Sequence, residues 1–132
     1  MEHLKFLAPG FLYRVGMSPS IAAVSLVALQ RMQELPERVA ALQARGKYFL
    51  EQAKMAGMDT GTSTGYVVVP AITGSSLKAT RLSAALYQQN INVQPILYPT
   101  VPEKAARLRF FMSCMHTEEQ IQATISALRQ IY

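Results

Sequence analysis

Several things are scarce in this 132-residue sequence, and each scarcity excludes something. There is one cysteine, Cys114, so no disulfide can form within the chain. There are two histidines, His3 and His116, far apart and without clustered carboxylates, so no metal-ligand spacing arises. Tryptophan is absent. Charged residues make up 16% of the chain, well below the roughly 25% of ordinary soluble domains. That shortfall points to surface meant to be covered by something else. Long apolar runs are missing too: the least charged stretch, residues 15–30, carries Gly16, Ser18, Pro19, Ser20 and Ser25, and is too short and too polar to span a membrane. The first ten residues show no signal-peptide pattern, so the expected location is the cytoplasm.

Acidic residues are outnumbered 8 to 13 by Lys and Arg, for a net charge of +5. A basic balance raises the question of nucleic acid. The basic residues are scattered and no aromatic-rich binding motif accompanies them, which argues against it. Half the chain is hydrophobic, enough for the core of one domain.

Residues 1–17 read as an extended entry segment, with Pro9, Gly10 and Gly16 among aromatics. From Ser18 onward the pattern is folded. Ser18 can cap a helix whose first position is Pro19. Ile21, Val24, Leu26, Val27 and Leu29 leave it apolar on most sides, which predicts deep burial. Pro36 either kinks this helix or opens a second one, which ends at Gly57. A β-branched run, residues 66–73, predicts a strand, and Pro70 places it at a sheet edge or bulge. A helix follows through Gln89, with Asn90 as a left-handed cap.

Residues 91–97 predict a second strand, and 98–102 a loop stiffened by Pro99 and Pro102. The clearest strand is 107–113. Leu108, Phe110 and Met112 point to one face, and Arg107, Arg109, Phe111 and Ser113 to the other. Thr117 and Gln120 open the final helix as a capping box. The order predicts an α/β (α+β) layer: a three-stranded, mostly antiparallel sheet with helices on one side and a long kinked helix pair before it.

Three stretches carry a family resemblance. The first is Phe11-Leu12-Tyr13-Arg14-Val15-Gly16-Met17-Ser18-Pro19 with the alanine-rich helix after it. The second is Asn92-Val93-Gln94-Pro95-Ile96-Leu97-Tyr98-Pro99-Thr100-Val101-Pro102. The third is Ala106-Arg107-Leu108-Arg109-Phe110, then His116-Thr117-Glu118-Glu119. In this order and spacing they resemble the α-oxoamine synthases, across essentially the whole chain.

The resemblance implies the small C-terminal domain, residues 18–132, of a fold-type-I enzyme dependent on pyridoxal phosphate (PLP). The large PLP-binding domain would lie outside this chain, since none of the five lysines sits in a stretch like the family's Schiff-base motif. It implies a substrate amino acid, an acyl-CoA or acyl-carrier-protein thioester, release of carbon dioxide, and a homodimer when full length. No catalytic residue is expected in this chain. Arg109 matches the arginine that holds the substrate carboxylate, and a guanidinium suits that task because it forms two parallel charge-assisted hydrogen bonds. Arg107 is expected to be structural.

Where the family carries hydroxyls that reach the cofactor phosphate, this chain has Arg14 and Val15. Arg14 remains a cofactor-binding candidate by charge alone. His116 is expected at a helix entry, Cys114 in the core, and the 98–102 loop at the mouth of the site. The same clamp would serve an aminotransferase, and a binding or assembly domain that kept the fold without the chemistry is the alternative from another class.

Overall fold

The computed structural model describes residues 16–132, together with His3 and Leu7. The expected entry segment therefore lies almost wholly outside the described residues. The chain divides into two compact units, Met1–Pro36 and Glu37–Tyr132.

The first unit contains helix α1 (Pro19–Glu34). Ser18 caps it by accepting a hydrogen bond from the Ile21 amide, with Pro19 at the first position. The expectation of deep burial is corrected here. No residue of α1 is buried, and Ile21, Val24, Leu26, Val27, Leu29 and Met32 are each 48–69% exposed. Periodicity reports that a face is apolar; it does not report that the covering surface belongs to the same chain.

All but the first residue of α2 (Pro36–Met55) belongs to the second unit, and Leu35 between α1 and α2 is non-helical, so the pair is two helices. Gly57 ends α2 at φ 79°, with Met58 N–H returning to Ala53 and Gly57 N–H to Lys54, a paired closure of the last carbonyls. The remaining elements are β1 (Val68–Ile72), α3 (Ser76–Tyr87), β2 (Gln94–Ile96), a single 3₁₀ turn (Glu103–Ala105), β3 (Arg107–Phe111) and α4 (Glu118–Ile131). Asn90 takes φ 62° after α3 and closes it the same way, through Ile91 to Leu86 and Asn90 to Tyr87. Thr117 and Gln120 form the reciprocal capping box of α4.

The sheet is antiparallel in the order β1-β3-β2, so β3 is central. Pro70 sits on an edge, as its missing N–H requires. Ile72, two residues on and of the same parity, turns its N–H away from β3 to the Asp59 carbonyl, so Pro70 forfeits no ladder bond. β2 is shorter than expected: Ile91, Asn92 and Val93 stay outside it.

One face of the sheet is buried. Val69, Ala71, Leu108 and Phe110 meet Phe49 and Leu50 of α2, Leu82 and Leu86 of α3, and Ile121, Ile125 and Leu128 of α4. Phe49 and Phe110 stack tilted at 4.9 Å. Tyr132 donates its hydroxyl to the Ile72 carbonyl, and Lys78 lies 4.2 Å over its ring.

Gly46, buried in α2, allows the closest approach in this unit. A Cβ there would lie 1.8 Å from the Tyr66 carbonyl oxygen and 2.3 Å from that of Gly65. In an open helix Gly→Ala stabilises by about 1 kcal/mol. Here the sign reverses, because backbone must move: Gly46→Ala is expected to destabilise by roughly 2–3 kcal/mol in urea unfolding.

Burial first, and then the charge of Asp59, raise the Tyr132 pKa above that of an ordinary phenol. A raised folded pKa gives stability that is complete below about pH 10 and lost as pH climbs through the folded value. Tyr132→Phe is expected to cost about 1 kcal/mol at neutral pH and to flatten the alkaline fall, read from melting curves between neutral and strongly alkaline pH.

Candidate functional site

Two-residue alternation along β3 decides what faces away from the core. Leu108 and Phe110 are buried, so Arg107, Arg109 and Phe111 point to the opposite face. The register sets Arg109 between Pro70 of β1 and Gln94 of β2, and Arg107 between Ile72 and Ile96. The neighbours on this face, Val68, Pro70, Ile72, Gln94 and Ile96, are exposed or half-buried and none is charged. Arg109 is thus a half-buried cation on a sheet face whose other charge is Arg107 of the same strand.

The two arginines differ in what holds them. Arg107 donates from Nε to the Ala105 carbonyl at 2.8 Å, a local tie at the start of the strand. Arg109 forms no ion pair among the described residues. Two acids within ten residues of it in sequence, Glu103 and Glu119, do not pair with it. Glu103 is bound to Ser76, whose amide donates at 2.8 Å and whose hydroxyl donates to the other carboxylate oxygen. These two bonds, hydroxyl first, hold the Glu103 carboxyl below the usual carboxylate range. The Glu119 carboxyl is likewise lowered, first by its own backbone amide and then by Thr117. Arg45, by contrast, does find a carboxylate, Glu118 at 2.6 Å, as Arg31 finds Glu34 within α1.

The other expected residues fall as follows. Arg14 lies outside the described residues. His116 stands at the entry to α4 and accepts the Ser113 amide on Nδ1 at 3.2 Å, a local turn bond consistent with a helix-entry role. Cys114 is half-exposed, a correction to its expected place in the core: β3 ends at Phe111, so the alternation no longer governs position 114. Among the described residues no group of three His, Cys, Asp or Glu could hold a metal ion. No helix among them is long and apolar enough to cross a membrane. A cavity of about 350 Å³ lies where Asn92, Phe111, His116 and Gln120 meet, and Arg109 is not in its lining.

What this face offers is a guanidinium, with no carboxylate to neutralise it, on a rigid strand. It can grip a carboxylate from solution or from a bound ligand. It is not a cradle for PLP: the described residues place no lysine or carboxylate on this face to meet a pyridine ring or form a Schiff base.

Comparisons with known proteins bear on the family and the fold. The model of the family described as aminotransferase class I and II matches residues 1–128. The chain is 34% identical over 131 residues to 8-amino-7-oxononanoate synthase of Thermosipho melanesiensis, covering 99% of this chain and 33% of the relative. It is 30% identical over 131 residues to 2-amino-3-ketobutyrate coenzyme A ligase of Escherichia coli, again covering 33% of it. Both relatives are α-oxoamine synthases, the resemblance read from the three motifs. The chain spans about a third of the length of the curated relatives it matches.

Among solved structures, 8-amino-7-oxononanoate synthase of Francisella tularensis superposes with a TM-score of 0.81 at 23% identity, over 98% of this chain and 37% of that one. Serine palmitoyltransferase of S. paucimobilis, with PLP and myriocin bound, gives 0.86 at 19% identity, over 98% and 33%. These likenesses establish the fold.

Because no ion-pair partner among the described residues depends on Arg109, its removal should leave the fold intact. Arg109→Gln is expected to change the unfolding free energy by less than about 1 kcal/mol in urea titration. A loss above about 2 kcal/mol would mean the arginine is part of the scaffold.

Proposed function

Because the chain belongs to the class I and II aminotransferase family, we propose that residues 18–132 form the C-terminal domain of a PLP-dependent α-oxoamine synthase. The whole protein would condense an amino acid with an acyl thioester, from CoA or a carrier protein, and release carbon dioxide. It would act as a homodimer, with its large cofactor-binding domain outside this chain. The observation that carries the reading is Arg109: half-buried, unpaired among the described residues, and fixed at the centre of the sheet's outer face. Support comes also from relatives named 8-amino-7-oxononanoate synthase and 2-amino-3-ketobutyrate coenzyme A ligase. The exposed apolar side chains of α1 fit a helix that the rest of such a protein would cover.

In this reading Arg109 binds the amino-acid carboxylate through two parallel N–H bonds. The strand holds the guanidinium, and the clamp in turn fixes which Cα bond faces the reacting centre. PLP, when bound, supplies the electron sink for the carbanion. The residues that would hold it lie mainly outside the described part, with Arg14 kept as a candidate for its phosphate by charge.

The test is a chimera. This chain replaces the matching third of the Thermosipho melanesiensis enzyme, and thiol release from an acyl-CoA is followed as a function of amino-acid concentration. Turnover is expected. Arg109→Lys, which keeps the charge and loses the bidentate geometry, should raise the amino-acid KM about tenfold to a hundredfold. A chimera that takes up PLP and turns over with KM unmoved by that change would sink the assignment of Arg109.

A further inference from the structure

The segment from Leu97 to Ala106 leaves the sheet after β2 and re-enters it at β3. Its return end is well anchored: the Ala106 carbonyl accepts from the amides of Thr73 at 2.8 Å and Gly74 at 3.3 Å, and from the Thr73 hydroxyl at 2.9 Å. Its exposed part, the 98–102 loop, has few ties. Within the segment, Val101 N–H reaches the Leu97 carbonyl at 3.3 Å. The tie from loop to scaffold is Tyr98 N–H to the Ser76 hydroxyl, also at 3.3 Å.

Ser76 is therefore a junction. Its hydroxyl accepts from Tyr98 while donating to Glu103, and its amide donates to the other Glu103 oxygen. The position is notable for the helix as well. Ser75, the cap of α3, makes no side-chain cap bond, and the first turn of α3 holds no acidic residue. Glu103, 27 positions away in sequence, supplies the negative charge and the acceptor that this N-terminus lacks. Among the described residues no cation pairs with Glu103.

We propose that Glu103 is a positioning residue: through Ser76 it pins the 98–102 loop to the start of α3, presetting one wall beside the Arg107–Arg109 face. The loop's proximity follows from the chain path. It leads through the 3₁₀ turn into β3, and Arg107 is bound to the Ala105 carbonyl at that turn. Arg109 stands two residues further, about 7 Å along the strand. That this wall borders a substrate rests on the function proposed above; the clamp itself does not.

The test uses the chain as it stands and needs no turnover. Backbone ¹⁵N–¹H heteronuclear NOEs are measured at Tyr98, Thr100 and Val101, with melting temperature in parallel. In the unaltered chain these amides should be as ordered as those of β3. Glu103→Ala should lower all three while β3 and α4 amides keep their values. Glu103→Gln, whose amide oxygen still accepts the Ser76 N–H, should restore most of the order. Ser76→Ala keeps the backbone cap and removes only the hydroxyl junction, so it should free the loop even if Glu103→Ala fails to fold. Loop NOEs unchanged in Ser76→Ala, or a Glu103→Gln variant as mobile as Glu103→Ala, would overturn the proposal. A clamp that passes this test beside an inactive chimera would leave Glu103 its role and remove the functional reading instead.

Discussion

The pairing of β3 with both of its neighbours is the constraint from which the rest follows. A central strand with ladders on both sides cannot slip by one residue without turning Leu108 and Phe110 out of the core. Leu108 is fully buried, and Phe110 stacks on Phe49 of α2. Exposing either would cost on the order of 2 kcal/mol. The same register that buries these two places Arg107 and Arg109 on the opposite face. The core therefore fixes the candidate site: the guanidinium of Arg109 is aimed by the hydrophobic residues on either side of it.

Around this strand the helices are held by ends as much as by faces. Both α2 and α3 close through a left-handed residue, Gly57 and Asn90, and α4 opens through its capping box. The start of α3 is the exception, because its own cap is silent and a carboxylate from the β2–β3 connection takes the place. Gly46 shows a similar dependence on a distant segment. Its lack of a side chain matters only because the Gly65 and Tyr66 carbonyls press against α2.

These cases mark the line between what the sequence makes legible and what it does not. Local chemistry was readable. Pro70 required an edge, Asn90 a left-handed turn, Thr117 a box with Gln120, and the alternation from Arg107 a strand with an apolar and a cationic face. The motif marked Arg109 as a candidate clamp, and the strand alternation gave the face on which it stands. What escaped was non-local. Nothing near Glu103 points to Ser76, and nothing near Gly46 points to Tyr66. The apolar pattern of α1 was read correctly as apolar and wrongly as buried, since a hydrophobic face carries no information about which chain will cover it. Cys114 was assigned to the core on residue type, and it stands half-exposed beyond the end of the strand at Phe111.

The Ser76–Glu103 bonds and an Arg109 unpaired among the described residues belong to one arrangement. An arginine that already holds a carboxylate must release it before gripping another, and the exchange returns little. An unpaired one gains the full charge-assisted bond, on the order of 1.5–3 kcal/mol. Glu103 lies six residues before Arg109 and is the nearest acid in sequence, so it is the natural competitor. Two bonds from Ser76 satisfy its oxygens and favour its ionised form where it is, at the head of α3. Glu118, the next acid along the chain, is drawn to Arg45. With these carboxylates engaged elsewhere in the fold, the cation at the centre of the sheet has no ion-pair partner among the described residues.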